Sequence, residues 1–287
     1  MKESPKMDAL IRVLPTIPEF HVPGCPLYNL LKAITLDEAK GLFGENVPGD
    51  TKFGPFGVVH FPYFSMGAIT TLNLFEIDEI IIFSFYWQNR NRYKNVLDIG
   101  ANLGLHSLML SKCGYTVHSY EPDPVHYKKL KENLVLNGIS EANAHNMAVS
   151  DKDTKMEFIR VLGNTTGSHL SGSKANPYGN LDKIEVAVKG FNSITRGMDF
   201  VKMDIEGHEK IVVTATTADQ WKNLDCMLSV HDETNAKVVF EHFKKIGVNI
   251  FSQKIGWKRA EKVHDMPLSH HEGSVFITSK KAMPWNE

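Results

Sequence analysis

The sequence predicts an α/β fold: a doubly wound, Rossmann-like parallel sheet preceded by an irregular N-terminal cap. Three observations predict it. From about residue 71 onward, apolar runs of strand length alternate with helical stretches. One of those runs, 96–99, passes through a tight glycine turn into a helix. Before residue 67 that rhythm is absent, and eight of the 13 prolines (Pro5, Pro15, Pro18, Pro23, Pro26, Pro48, Pro55 and Pro62) fall there.

Taken in order, the cap over 1–67 has room for short helices such as 27–34 but hardly for a regular sheet, because proline lacks a backbone donor. It reads equally as a tail packed on the main domain or as a substrate lid. The remainder, 68–287, reads as one catalytic domain. Residues 74–90 carry Leu74, Ile77, Ile81 and Phe85 on one helical stripe. Strand and helix then alternate: 96–99 and 103–112, 116–120 and 125–136, then a short strand at 142–146. After an interruption come 200–203 with a helix from 208, 226–231 with 236–245, and closing strands at 248–252 and 274–278. The interruption, 154–189, reads as two exposed strands, 155–161 and 184–188, joined by a long loop rich in Gly, Ser, Asn and Thr.

Composition narrows the partners. The 32 basic residues face 33 acidic ones, so whole-chain attraction to nucleic acid or to an anionic membrane is excluded. Cys25, Cys113 and Cys226 are far apart and match neither a zinc knuckle nor a disulfide framework, so a reducing, cytoplasmic setting is expected. The first residues lack the apolar core of a secretory signal. The apolar stretch 80–87 is far short of the about 20 residues a bilayer span needs. A small-molecule acceptor is the expected partner. The oligomeric state is open, and a homodimer is compatible with it.

The strongest local signal is Val96-Leu97-Asp98-Ile99-Gly100-Ala101-Asn102-Leu103-Gly104. Its glycines allow close ligand approach, and the helix behind offers free N–H groups. A phosphate-cradling loop needs a Gly-Lys pair that is absent here. A dinucleotide fingerprint needs a second glycine where Asn102 stands, and Asp98 would repel a phosphate. A ligand without phosphate, bearing an amino-acid group and a positive centre, fits better, and S-adenosylmethionine is such a ligand. Asp98 would face its ammonium group and the backbone at 100–102 its carboxylate. Glu121, ending the next strand, can accept both ribose hydroxyls, a device NAD sites share.

With Tyr120-Glu121-Pro122-Asp123-Pro124, Asn133 and Asn137, and Val201-Lys202-Met203-Asp204-Ile205-Glu206-Gly207-His208-Glu209, these motifs make the chain resemble FkbM-type S-adenosylmethionine-dependent methyltransferases over roughly 95–235. The resemblance implies the class I methyltransferase fold, a seven-stranded sheet whose last strand is antiparallel. It implies cofactor contacts from Asp98, Gly100, Ala101, Asn102, Gly104, Glu121, Pro122, Asp123 and Asp204. Asn146, Met147 and Ala148 would run along the adenine. Ser107 would lie near the methionine end or serve helix packing. Better understood members are mostly O-methyltransferases of sugar hydroxyls and natural products.

Hydroxyl methylation benefits from a base. Asp204 and Glu206 follow one central strand, and His231-Asp232-Glu233 ends the next. His231 is the expected base, since imidazole titrates near neutrality. Asp204 would hold substrate or cofactor, and Glu206 is the alternative base, or a first-turn acid favoured by the helix dipole. Asp204, Glu206, His231 and Asp232 could also hold a divalent metal through mixed carboxylate and imidazole ligands, but no tight spacing argues for it, so no metal is expected. His208, His270 and His271 are weaker candidates, and His169 sits in the glycine-rich loop within reach of a substrate.

The leading expectation is therefore S-adenosylmethionine-dependent O-methylation of a hydroxyl on a small polar molecule, a saccharide or natural-product intermediate. The alternatives are N-methylation of a small amine or amide, a non-catalytic cofactor-binding module, and an NAD-linked oxidoreductase.

Overall fold

The computed structural model describes residues 2–47, 50–174 and 179–285; Pro48 of the expected cap and part of the long loop lie outside them. The N-terminal segment is more regular than its prolines suggest. It folds as β1 (Lys2–Glu3), α1 (Pro5–Val13), α2 (Pro26–Phe43), β2 (Asp50–Lys52) and β3 (Val58–His60), the three strands pairing as a small sheet. Pro5 and Pro26 stand at the first positions of their helices, where a missing N–H costs nothing. They start helices rather than break them. The Ser4 hydroxyl caps α1 by accepting the Met7 N–H at 2.9 Å.

Next comes α3 (Ile77–Gln88), which starts later than its stripe predicts. A short 3-10 turn, Thr71–Phe75, precedes it, and extended backbone at Glu76 separates the two. This helix is buried almost all round and joins the cap to the domain core. Phe43 and Phe75 stack at 3.9 Å, and Phe53 packs edge-on to Phe75 and Phe83. Met7, Leu10 and Ile11 share one apolar cluster with Ile80, Phe83 and Leu108.

The main sheet is built from β4 (Asn95–Ile99), α4 (Leu105–Lys112), β5 (Thr116–Tyr120), α5 (Pro124–Leu136) and β6 (Ala144–His145) on one side. Then β7 (Ala148–Ser150), β8 (Thr154–Val161), β9 (His169–Leu170) and β10 (Leu181–Gly190) leave it to form a second sheet, ordered β7-β10-β8-β9. The two expected strands of this insertion pair antiparallel from Leu181↔Val161 to Val188↔Thr154. The chain returns through α6 (Phe191–Ile194), β11 (Phe200–Met203), α7 (Glu209–Thr214), β12 (Asp225–Ser229), α8 (Glu233–Ile246), β13 (Asn249–Ser252), β14 (Lys258–Arg259) and β15 (Ser274–Thr278).

The order is β14-β13-β15-β12-β11-β4-β5-β6, with β15 antiparallel to both neighbours. Seven of these strands match the expected sheet. The eighth, two-residue β14, is a hairpin partner added to the edge beside β13.

From β4 the chain winds outward through β5 and β6; after the insertion it resumes on the other side of β4 with β11. These two neighbours therefore flank the switch point where ligands bind in such sheets. Their exits are pressed together, and the Asp204 N–H donates to the Ile99 carbonyl at 3.0 Å. A Cβ on Gly100, whose φ is +78°, would sit 1.8 Å from the Asp204 carbonyl oxygen. Gly114, at φ +90°, has open space instead. Gly114→Ala should therefore cost only the left-handed backbone penalty of about 1–2 kcal/mol. Gly100→Ala should cost at least about 2 kcal/mol more, from forced separation of the strand exits. Urea denaturation of the two variants tests this; equal losses would refute it.

Candidate active site

A cavity of about 690 Å³ opens beyond the carboxyl ends of β4, β5 and β11. One side is made by Gly100, Ala101, Asn102, Glu121, Pro122 and Met147. The other is made by Asp204, Glu206, His169, and by Tyr28 and Lys32 of α2. Ala148, Lys202, His270 and His271 also face it.

Asn102 and Glu206 stand at φ 51° and 56° without being glycine, left-handed conformations that cost energy and persist only where surrounding contacts impose them. For Asn102 the contact is clear: its N–H donates to Glu121 Oε2 at 2.7 Å. The Asp123 N–H occupies Glu121 Oε1 at 2.8 Å. Burial pushes the Glu121 carboxyl up to about 8, although both backbone donors pull it down. Asn102 Oδ1 is buried with no partner.

Several expected contacts lie behind the wall. Asp98 is fully buried; its Oδ2 accepts the Ser107 hydroxyl at 2.6 Å, and Ser107 also meets Ser119 at 2.7 Å. Asp98 and Ser107 thus brace β4 against α4 and β5 and do not line the cavity. Gly104 packs against Leu130, where a Cβ would fall 2.5 Å from its side chain. Asp123 caps α5 and accepts the Arg160 guanidinium at 2.8 Å. Asn146 donates to the Glu121 and Pro122 carbonyls at 2.9 and 3.0 Å, and so holds the loop rather than facing the cavity.

Lys202 is the charge hidden inside β11. Its Nζ lies 3.9 Å from Asp98 and 3.8 Å from Asp204, and donates to the Gly100 carbonyl at 3.3 Å. Burial alone would lower its pKa, but the two aspartates raise it, so the ammonium stays charged. A single lysine in an otherwise apolar strand was the available signal.

His231 does not face the cavity. Its Nε2 lies 3.1 Å from Asp204 and 3.6 Å from Glu206, and its Nδ1 lies 3.3 Å from Glu209. Burial would lower the imidazole pKa, yet Glu209, Glu206 and Asp204 together raise it well above the usual value. With both ring nitrogens turned to carboxylates and away from the cavity, His231 is not placed to meet an acceptor as the expected base would. Asp204 and Glu206 are both held low, the imidazolium and Lys202 or Lys174 outweighing burial. Glu209, fully buried, accepts the Ile205 and Gly207 N–H groups at 2.8 and 3.0 Å and Asn235 Nδ2 at 2.5 Å. Asp232, named with this group, instead caps α8 by accepting the Asn235 N–H at 2.7 Å.

His169 has the opposite environment. Its Nδ1 lies 3.0 Å from the Gly167 carbonyl, which only accepts, so Nδ1 carries the proton. Nε2 is buried and unpartnered, and burial lowers the pKa. His208, by contrast, has both nitrogens engaged, by Ser150 and Ser173 at 2.8 Å each.

The strand order with antiparallel β15, together with a cleft at the switch point, defines the Rossmann-like, class I methyltransferase fold. The sequence model of the methyltransferase FkbM domain matches residues 98–244, half of the chain, and the protein belongs to this family of S-adenosylmethionine-dependent methyltransferases. Similar solved structures include human methyltransferase 10 domain containing protein (11% identity, covering 88% of this chain and 97% of that one, TM-score 0.41). Another is a ribosomal protein L11 methylase from Lactobacillus delbrueckii subsp. bulgaricus (11% identity, covering 69% and 75%, TM-score 0.37). No curated protein matches the sequence. Among the described residues, no helix is long and apolar enough to cross a membrane.

Ser107→Ala should leave Asp98 without its hydroxyl donor and cost about 1–3 kcal/mol in urea unfolding. Affinity for S-adenosylmethionine should change less than threefold in calorimetry. A large affinity loss at full stability would return Ser107 to the cofactor contacts.

Proposed function

We propose that the protein transfers a methyl group from S-adenosylmethionine to a hydroxyl of a small polar molecule, a saccharide or natural-product intermediate. The observation that carries hydroxyl methylation is His169: a neutral imidazole with a free, buried Nε2 on the cavity wall. When bound, S-adenosylmethionine supplies a methyl group on a sulfonium, so that a C–O bond forms as the C–S bond breaks and S-adenosylhomocysteine leaves.

The chain's own groups suit the cofactor. Glu121 offers a carboxylate for the ribose diol, and the orphaned Asn102 Oδ1 awaits a donor at the turn. Gly100 and Ala101 bring backbone to the cavity beside them, and Met147 and Ala148 offer an apolar surface for the adenine. Asp98 acts at one remove, by fixing Lys202 and α4.

On the acceptor side, Asp204 and Glu206 orient the hydroxyl by accepting from it and its neighbours. His169 Nε2 takes the proton as the oxygen attacks. Lys32, Asn29 and Asn73 line the outer part of the cavity with groups suited to a polyhydroxylated ligand. Tyr28 and Lys32 of α2 line the cavity, which supports reading the N-terminal segment as a lid on the acceptor side.

His169→Gln should retain cofactor binding and lower turnover by roughly 10²–10⁴-fold. This is read from S-adenosylhomocysteine release with a panel of hydroxylated and aminated acceptors. Unchanged turnover removes His169 from the mechanism, and a preference for amines favours N-methylation.

Glu121 predicts a pH dependence. Its raised pKa means that the free protein holds it protonated below about 8, whereas a ribose diol favours the ionised form. Cofactor affinity should therefore rise between pH 6.5 and 8.5. The cofactor's own amine titrates nearby, so the comparison is with Glu121→Gln, whose affinity should be weaker and its pH profile flatter. Parallel profiles would exclude Glu121 as the coupled group.

A further inference from the structure

We propose that a strap made of residues 65–70 and 163–168 is the gate through which the methyl donor enters and S-adenosylhomocysteine leaves. The proposal rests on the reading that the cofactor lies on the β4–β5 side of the cavity.

The strap joins two stretches far apart in sequence. Residues 65–70, which lead from the N-terminal segment toward α3, form a tight hairpin. Ser65 pairs there with Thr70, and the Met66 N–H donates to the Ile69 carbonyl at 2.8 Å. The loop between β8 and β9 meets its tip. The Ala68 N–H donates to the Gly163 carbonyl at 3.0 Å, and the Thr165 N–H donates to the Met66 carbonyl at 2.9 Å. The Thr165 hydroxyl donates to that same carbonyl at 3.3 Å and accepts from Nε2 of His126 at 2.8 Å. His126 lies in the first turn of α5, so one side chain ties the strap to the helix behind the Glu121 loop. Ile69, His126, Thr165 and Thr166 line the cavity together with Glu121 and Pro122.

The feet of the strap are fixed and its middle is not. Met66 is buried in the apolar cluster that contains α3, and the Ser168 hydroxyl accepts the Val161 N–H at 3.1 Å. Between these anchors Gly67, Ala68 and Gly163 are exposed, and backbone hydrogen bonds join the two loops. Exposed backbone bonds with little apolar surface behind them are the parts of a fold that open first. Gly67 stands at φ +94°, and a Cβ there would run into the Gly163 carbonyl, so the strap closes only over a glycine. The same contacts oppose entry and exit. Weakening them therefore speeds both and leaves the affinity nearly unchanged.

Surface plasmon resonance of S-adenosylhomocysteine on the immobilised full-length protein reads both rate constants. Gly67→Ala should raise association and dissociation together, each at least about fivefold, the factor that one ordinary hydrogen bond corresponds to, with Kd held within twofold. Thr165→Val keeps the backbone donor and the side-chain shape but loses the hydroxyl, and it should act in the same way. Gly163→Ala, whose Cβ meets nothing within 4 Å, should keep the wild-type rates. Two results overturn the gate. One is wild-type rates in both strap variants, which sinks this proposal alone. The other is faster dissociation at unchanged association with a matching loss of affinity, which marks a plain ligand contact. Failure of the wild type to bind S-adenosylhomocysteine at about 1 mM, the range of very weak complexes, sinks the gate and the cofactor reading together.

Discussion

Two parallel strands leaving the sheet side by side govern the rest of this molecule. At the exits of β4 and β11 the chain turns one way into α4 and the other way toward α7, and Gly100 lies directly against the Asp204 carbonyl. Only a residue without a Cβ permits that approach. Because the exits touch, their flanking acids converge, and Lys202 between Asp98 and Asp204 keeps the two from repelling. Its charge is buried yet paired on both sides and hydrogen-bonded to the Gly100 carbonyl, the condition under which a buried ion is tolerated.

The cavity follows from that juncture. On one side, Glu121 reaches back to the Asn102 N–H and fixes a left-handed asparagine in place. On the other, Glu209 gathers the Ile205 and Gly207 amides and fixes the turn that holds Glu206 left-handed. Each side thus stores local strain that a buried acidic side chain maintains. The insertion sheet then adds His169 to the cavity lining, and α2 adds Tyr28, Asn29 and Lys32. An imidazole with one unpartnered nitrogen, His169, and one enclosed by carboxylates, His231, therefore share a neighbourhood.

The alternation of apolar runs and helical stretches made the sheet legible, because strands buried on both faces must be apolar throughout. The glycine turn and Glu121 were legible for a related reason: few residue types satisfy a tight turn or a strand-end carboxylate. The cap was harder to read. Its prolines resemble helix breakers until their place at first helical positions is known, and its core is contributed partly by α3 and α4. Side-chain direction was hidden as well. Asp98 and Ser107 stand beside the turn in sequence but point beneath it. Asp123 and Asn146 spend their polar atoms on capping and loop closure. His231 was chosen for imidazole's ordinary pKa, whereas the fold sets its ring among three carboxylates and outside the cavity wall.

Hydrogen exchange with and without S-adenosylhomocysteine tests the central claim, that the switch-point cavity is the methyl-donor site. The account predicts new protection at the 100–103 turn, at 121–122 and at 147–149, with the edge strands β13 and β14 unaffected. Protection confined to other segments, or none at a saturating concentration, would contradict it.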